Sequence, residues 1–165
     1  MALVSPITSY KLSAGQGLAD SWWKTGRIST KVTGEQTGGS FSQIESIDPR
    51  GTATPLHLHR NEEEAFYVLE GELSVLVDGE WMELTAGDLA LVPRNVPHAY
   101  VVTSERARML VTFSPAGFEA AFAEIGVPVA ESPQPPVETV IPSPQEMVAA
   151  FDPYGCEILG PPPQL

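Results

Sequence analysis

The sequence is poor in several residue types, and each shortage removes a class of explanation. A single cysteine, Cys156, can close no internal disulfide, so the fold must rest on its own core. Nine lysines and arginines stand against twenty-one aspartates and glutamates, a formal net charge of −12. That field repels phosphate backbones and anionic lipid, so neither nucleic acid nor a membrane is expected as a partner. No apolar run approaches the roughly 20 residues that span a bilayer. The opening Met1-Ala2-Leu3-Val4-Ser5-Pro6 has neither the basic nor the apolar stretch of an export signal, and a reducing, cytoplasmic location is the expectation. Histidine is scarce as well, with three in 165 residues: His57, His59 and His98.

What is present reads as one domain built from short strands. A chain of this length with a near-average apolar fraction can bury one real core. Residues 1–27 are polar and glycine-bearing and are expected to form an extension. Trp22 and Trp23 are adjacent, cannot share a face in an extended segment, and so are expected on the core and on a dimer surface respectively or the reverse. From Ile28 the pattern is strand-like, Ile28–Val32 and Phe41–Ile47 around a glycine-rich turn at 34–39. Phe66–Leu69 and the alternating Leu73, Val75 and Val77 follow, and Asp78-Gly79 marks a two-residue hairpin turn. Trp81–Leu84, Leu89–Val92, His98–Val102 and Met109–Phe113 continue the series. Such regular spacing predicts an all-β antiparallel sandwich or barrel over residues 28–115.

Beyond Ser114 the character changes. Ser114 and Pro115 have the form of an N-cap followed by proline at the first helical position, and Phe118, Phe122 and Ile125 fall at helical spacing, predicting a short helix over 116–126. Residues 127–165 hold ten of the sixteen prolines and are expected to run as an extension, linker-like from Val127 to Pro142. Ser143-Pro144-Gln145-Glu146 has capping-box spacing, which predicts a second helix over 144–151.

The chemistry must come from the histidines and nearby carboxylates. His57 and His59 are two apart in a stretch without helical pattern, so in a strand they leave the same face. Any of the three imidazoles alone is as well explained by surface or core packing; together with a carboxylate they make a ligand set for a divalent transition metal that leaves positions open for water or substrate. The carboxylate must be drawn from Glu62, Glu63 and Glu64. Strand phase places Glu64 on the face of Phe66 and Val68, so Glu64 is the choice, and Glu62 and Glu63 read as a solvated acidic turn.

These residues resemble a known family. Gly51, five residues, His57-x-His59, four residues, Glu64, six residues and Gly71 is similar to the first motif of the cupin superfamily. The second motif is matched more loosely by Gly87, Pro93 and His98, with Asn95 where the family usually has glycine and Val102 where it usually has asparagine. Asparagine tolerates the left-handed backbone that glycine would serve, so the turn should survive. The resemblance covers about residues 28–115. It implies a small antiparallel β-barrel of jelly-roll type, commonly a homodimer, with one metal ion (Fe, Mn, Ni, Co, Cu or Zn) on His57, His59, Glu64 and His98.

Within that superfamily the intact ligand set looks like the quercetin dioxygenase-like proteins, which implies a dioxygenase acting on a small aromatic or enolisable substrate. Glu64 would then serve as ligand and as the base that takes a substrate hydroxyl proton. Non-oxidative enzymes of isomerase or polyketide cyclase type, and small-molecule binding proteins without catalysis, are the competing expectations. Phe66 and Val68 share the inward face of Glu64, Tyr100 and Val102 that of His98, and Met109, Val111 and Phe113 form another same-face set; all seven are candidate pocket residues, with plain barrel core as their competing reading.

Overall fold

The computed structural model describes residues 8–132, 134–135 and 143–165. The expectations for Met1–Pro6 and for much of the 127–142 linker fall outside these residues. Within them the chain forms strands β1 (Ala19–Trp23), β2 (Gly26–Val32), β3 (Ser42–Pro49), β4 (Leu56–His59), β5 (Glu63–Glu70), β6 (Glu72–Val77), β7 (Glu80–Thr85), β8 (Leu89–Val92), β9 (His98–Val102), β10 (Arg106–Ser114), β11 (Val127–Pro128) and β12 (Cys156–Gly160). Three helices accompany them: α1 (Gly34–Thr37), α2 (Glu119–Ile125) and α3 (Pro144–Phe151).

The strands make two antiparallel sheets, β11-β1-β2-β3-β10-β5-β8 and β12-β4-β9-β6-β7, which bury one shared core. The predicted jelly-roll architecture is present, as a two-sheet shell whose sheets share no strand rather than as a closed barrel. Period-two patterning is what places the side chains. Along β10 the alternate residues Ala107, Met109, Val111 and Phe113 are buried, and along β5 Glu64, Phe66 and Val68 point inward while Tyr67 faces out. The β6–β7 hairpin turns on Asp78 and Gly79, both with positive φ (48° and 86°), as a type I′ turn requires. Asn95 adopts φ 64°, the left-handed conformation expected of it.

Several local expectations are corrected. The sheets draw on β1, β11 and β12, outside the expected 28–115 span, because Trp23, Phe151 and Cys156 carry enough apolar surface to be taken into the core despite polar or proline-rich neighbours. Ser114 ends β10 rather than capping a helix, its hydroxyl donating to Ser40 O at 3.0 Å, and α2 starts at Glu119. The glycine-rich turn contains the one-turn helix α1, closed by a Thr33–Gln36 capping box. Trp23 is in the core, whereas the Trp22 indole N–H donates to Ser132 O at 2.7 Å, so this chain's own C-terminal segment covers part of it. No helix among the described residues is long and apolar enough to cross a membrane.

Gly26, at the start of β2, is fixed by packing. A methyl group there would lie 1.9 Å from Asp48 Oδ1, a buried carboxylate on β3. Gly26→Ala is therefore expected to destabilise the protein by about 2 kcal/mol, which lowers the melting temperature by roughly 4–8 °C at this chain length. Thermal unfolding followed by circular dichroism checks it, and an unchanged midpoint contradicts the packing described.

Candidate metal centre

Three strands bring the histidines and Glu64 together. His57 and His59 leave β4 on its buried face, and His98 on β9 is the direct cross-strand partner of His57. Glu64 projects from β5 in the opposite sheet, one residue after the strand begins. One ligand atom from each of these four residues lies within 4.8 Å of the others, and all four side chains are buried. Glu64 Oε2 is the common point, at 2.7 Å from His98 Nε2, 3.2 Å from His59 Nε2 and 4.0 Å from His57 Nε2.

The outer ring nitrogens explain why the Nε2 atoms face inward. His57 Nδ1 lies 2.8 Å from Pro55 O and His98 Nδ1 lies 2.9 Å from Val96 O. A carbonyl can only accept, so both Nδ1 atoms carry the proton and donate it. Their Nε2 lone pairs are left directed at a carboxylate oxygen. Acceptors in such contact require a proton or a cation between them, and the buried His59 Nε2, although 3.2 Å from Glu64 Oε2, makes no aligned hydrogen bond. The residues present thus fit a divalent metal ion by donor type, number and direction.

Glu62 corrects the sequence reading. It is 3% exposed rather than solvated, and its Oε2 stands 3.5 Å from His59 Nδ1. The turn at Arg60–Asn61 folds it back over His59, an i, i+3 approach that strand phase cannot detect because Glu62 precedes β5. Glu63, by contrast, opens β5 on its outer side, partly exposed, and pairs with Arg94. A carboxylate behind a ligating imidazole fixes the ring and raises its basicity, so Glu62→Gln is expected to weaken metal binding about tenfold with little change in fold. Competition against a chelator of known affinity reads this, and unaltered affinity would remove Glu62 from the site.

The charges of the metal-free centre are ordered by the same geometry. Burial, with His98 adding to it, drives His57 down to about 3. Burial acts in the same direction on His59, but the flanking carboxylates Glu64 and Glu62 outweigh it and raise His59 to about 9. For Glu64 burial is opposed and overcome by the His59 and His98 rings, which hold its carboxyl below the usual range. The cluster is therefore an ion pair, Glu64 with His59, beside a neutral His57.

The sheets form layers beneath the centre. Phe113 lies opposite Glu64, Val111 opposite Phe66, and Met109 opposite Val68. The first two layers line a cavity with His57, Tyr100, Ser46 and Thr54, while Trp23, Phe118, Phe122 and Phe151 supply aromatic walls from β1, α2 and the segments beside it. Of the candidate pocket residues, Phe66, Tyr100, Val111 and Phe113 reach this cavity; Val68, Val102 and Met109 form the closed layer beyond and do not line it. Its accessible interior is about 50 Å³. That holds a small ligand fragment or a few waters, well short of a typical drug-sized site. Strand β12, which pairs Cys156 with His59 and Ile158 with His57, had no recognisable sequence signal, whereas α3 starts at the Ser143–Glu146 capping box read from the sequence and only the packing of its Phe151 against the cavity was not legible.

Two inward-facing sheets around a buried three-histidine, one-glutamate cluster define a cupin-type domain. The family model described as "Cupin domain" matches residues 43–113. A Bacillus subtilis (strain 168) protein named quercetin 2,3-dioxygenase is 33% identical over 129 residues, covering 77% of this chain and 37% of that protein. Polyketide synthase CurC of Streptomyces cyaneus is 37% identical over 87 residues, 52% of this chain and 55% of its own length. The crystal structure of an RmlC-like cupin from Shewanella frigidimarina superposes with a TM-score of 0.57 at 25% identity, over 68% of this chain and 96% of that one. The chain belongs to the cupin superfamily. It spans only about a third of the quercetin 2,3-dioxygenases it matches, 37% of the Bacillus subtilis protein and 32% of one from Aspergillus japonicus.

Proposed function

We propose that this cupin domain holds one divalent transition metal on His57, His59, Glu64 and His98 and acts as a dioxygenase on a small aromatic or enolisable substrate. The observation that carries the reading is the convergence of imidazole Nε2 atoms on Glu64 Oε2 with no protein donor placed to satisfy them all. Fe, Mn, Co, Ni, Cu and Zn all accept such a set. When bound, the ion supplies Lewis acidity toward an enol or phenol oxygen and, if redox-active, a route for electrons to dioxygen. The protein's own groups do the rest. Glu64, ionised and at the centre, is placed to take the hydroxyl proton of an entering substrate, and His57 and His98 are held in register by Pro55 O and Val96 O. Phe66, Phe113, Phe118 and Trp23 exclude water and favour a flat apolar ring.

Similarity to a protein named for oxidation of quercetin supports oxygen chemistry, while the size of the cavity favours a substrate smaller than a flavonol. The test is elemental analysis of the purified protein, then an oxygen-electrode screen of the metal-loaded form against catechols, β-diketones and flavonols. Metal-dependent oxygen uptake with one class is the expected result, and turnover under strict anaerobiosis overturns the dioxygenase. The resemblance to CurC supports a second reading, non-oxidative isomerase or cyclase-type chemistry in which a carbonyl is only polarised, and anaerobic turnover is its signature. Tight binding of these compounds without any turnover would identify a small-molecule binding protein. The homodimer expected of the family has a candidate surface at edge strand β8, where Leu89 and Leu91 stand 61% and 59% exposed beside Tyr67, and sedimentation of a Leu89→Asp variant reads it.

A further inference from the structure

Two hydroxyl groups on the cavity wall converge on one buried oxygen. Ser46 Oγ donates to Asp48 Oδ2 at 2.7 Å and Tyr100 Oη donates to the same oxygen at 3.0 Å. Ser46 and Tyr100 line the cavity, whereas Asp48 lies behind them and is 1% exposed. Tyr100 is two residues beyond His98 on the same face of β9, so its ring stands one strand repeat, roughly 7 Å, past the metal centre. The Phe66 ring meets it edge-on, with centroids 5.9 Å apart.

The direction of these bonds decides what the wall can recognise. An ionised carboxylate accepts only, so the protons of both hydroxyls are committed to Asp48. What Ser46 and Tyr100 have left for the cavity are oxygen lone pairs. Thr54, the third hydroxyl residue on the wall, accepts the Tyr100 N–H on its Oγ1 at 3.1 Å and keeps its own proton, so the wall beside Ser46 and Tyr100 is where acceptors alone are presented. At Ser46 and Tyr100 a ligand atom with lone pairs alone finds no proton to accept, while a hydroxyl or N–H hydrogen finds an acceptor. A site of this type discriminates strongly, since the wrong ligand leaves buried polar groups unpaired.

We propose that Ser46, Tyr100 and Asp48 form a donor-reading subsite that selects substrates carrying a hydroxyl group about one ring's width from the oxygen directed at the metal centre. Ser46 and Tyr100 are specificity-determining residues, and Asp48 is a positioning residue that orients both hydroxyls. The proposal rests on the reading of the cavity as a site for phenols or enols and narrows its substrate class.

The test compares two phenols of nearly equal size, resorcinol and 3-fluorophenol, by calorimetric titration of zinc-loaded protein at pH 8, zinc being chosen so that neither phenol is oxidised. Both offer one hydroxyl to the metal, but only resorcinol has a second proton to donate. Resorcinol is expected to bind about tenfold more tightly. In Tyr100→Phe and in Ser46→Ala the preference falls toward parity. In Asp48→Leu, where the hydroxyl protons are free to turn into the cavity, the preference also falls, whereas a merely structural Asp48 would weaken both phenols alike. Should Tyr100→Phe fail to fold, Ser46→Ala carries the comparison. Equal binding of the two phenols to the unaltered protein, or a preference that survives both hydroxyl substitutions, overturns the subsite and leaves the phenol reading intact. Binding of neither phenol overturns that reading and the subsite with it.

Discussion

His59→Ala is expected to abolish stable metal binding, taking content from near one ion per chain to about a tenth or less after dialysis, while the protein remains folded. His59 is 2% exposed, and of the three imidazoles it is the one flanked by two carboxylates, so its loss removes a ligand and leaves Glu62 and Glu64 without the cation that separates them. The fold survives because the layer of Val68, Met109 and Val102, with Leu73 and Val75, packs without reference to the site. Some stability is lost all the same: the ring touches Phe118, at 4.3 Å between centroids, and Phe113, so truncation opens space there and costs about 2–4 kcal/mol. Leu73→Ala supplies the control, a similar packing loss far from the ligands that should leave metal content unchanged. Elemental analysis of both variants beside the unaltered protein decides the matter, and full metal content in His59→Ala would show that the ligand set is wrong.

The contrast between Glu62 and Glu64 marks how far the sequence alone could be read. Inside a strand, alternation fixes which side chains share a face, so Glu64, Phe66 and Val68 were legible from their spacing, as were His57 with His59 and Tyr100 with His98. Outside a strand no period applies. Glu62 belongs to a turn whose path depends on where β4 and β5 sit, and its burial against His59 is a tertiary outcome. Depth along a face is equally hidden: Val68 and Met109 have the right parity yet sit one layer too far in, because the cavity floor is set by how the two sheets approach. The same limit concealed β12, a short strand among prolines that pairs with the edge of β4 beside His57 and His59 and sends Cys156 into the core. The type I′ turn at Asp78-Gly79 needed no such context, because two positive φ angles in succession are a local demand.

Metal binding at pH 7.5 is expected to release protons, and one of them belongs to His59. In the metal-free centre Glu64 is already ionised and His57, at about 3, is already neutral, so neither has a proton to give. His59, raised to about 9, is charged at this pH and must surrender its Nε2 proton before its lone pair can serve as a ligand. Apparent affinity should therefore climb about tenfold per pH unit from pH 7 toward 9 and flatten above it, when the proton is already gone. The stability of the metal-free protein runs the opposite way. A histidine whose folded pKa exceeds its unfolded value contributes stability that is fully present below about 6.5 and is lost as pH rises through about 9, in total about 3 kcal/mol. The metal-loaded form, with His59 neutral throughout, escapes that loss, so the gap in melting temperature between loaded and metal-free protein should widen between pH 7 and 9. Calorimetric titration in non-chelating buffers of different ionisation enthalpy counts the protons directly. A binding enthalpy independent of buffer at pH 7.5 would mean that His59 is neutral before the ion arrives, and the charge pair between His59 and Glu64 would have to be abandoned.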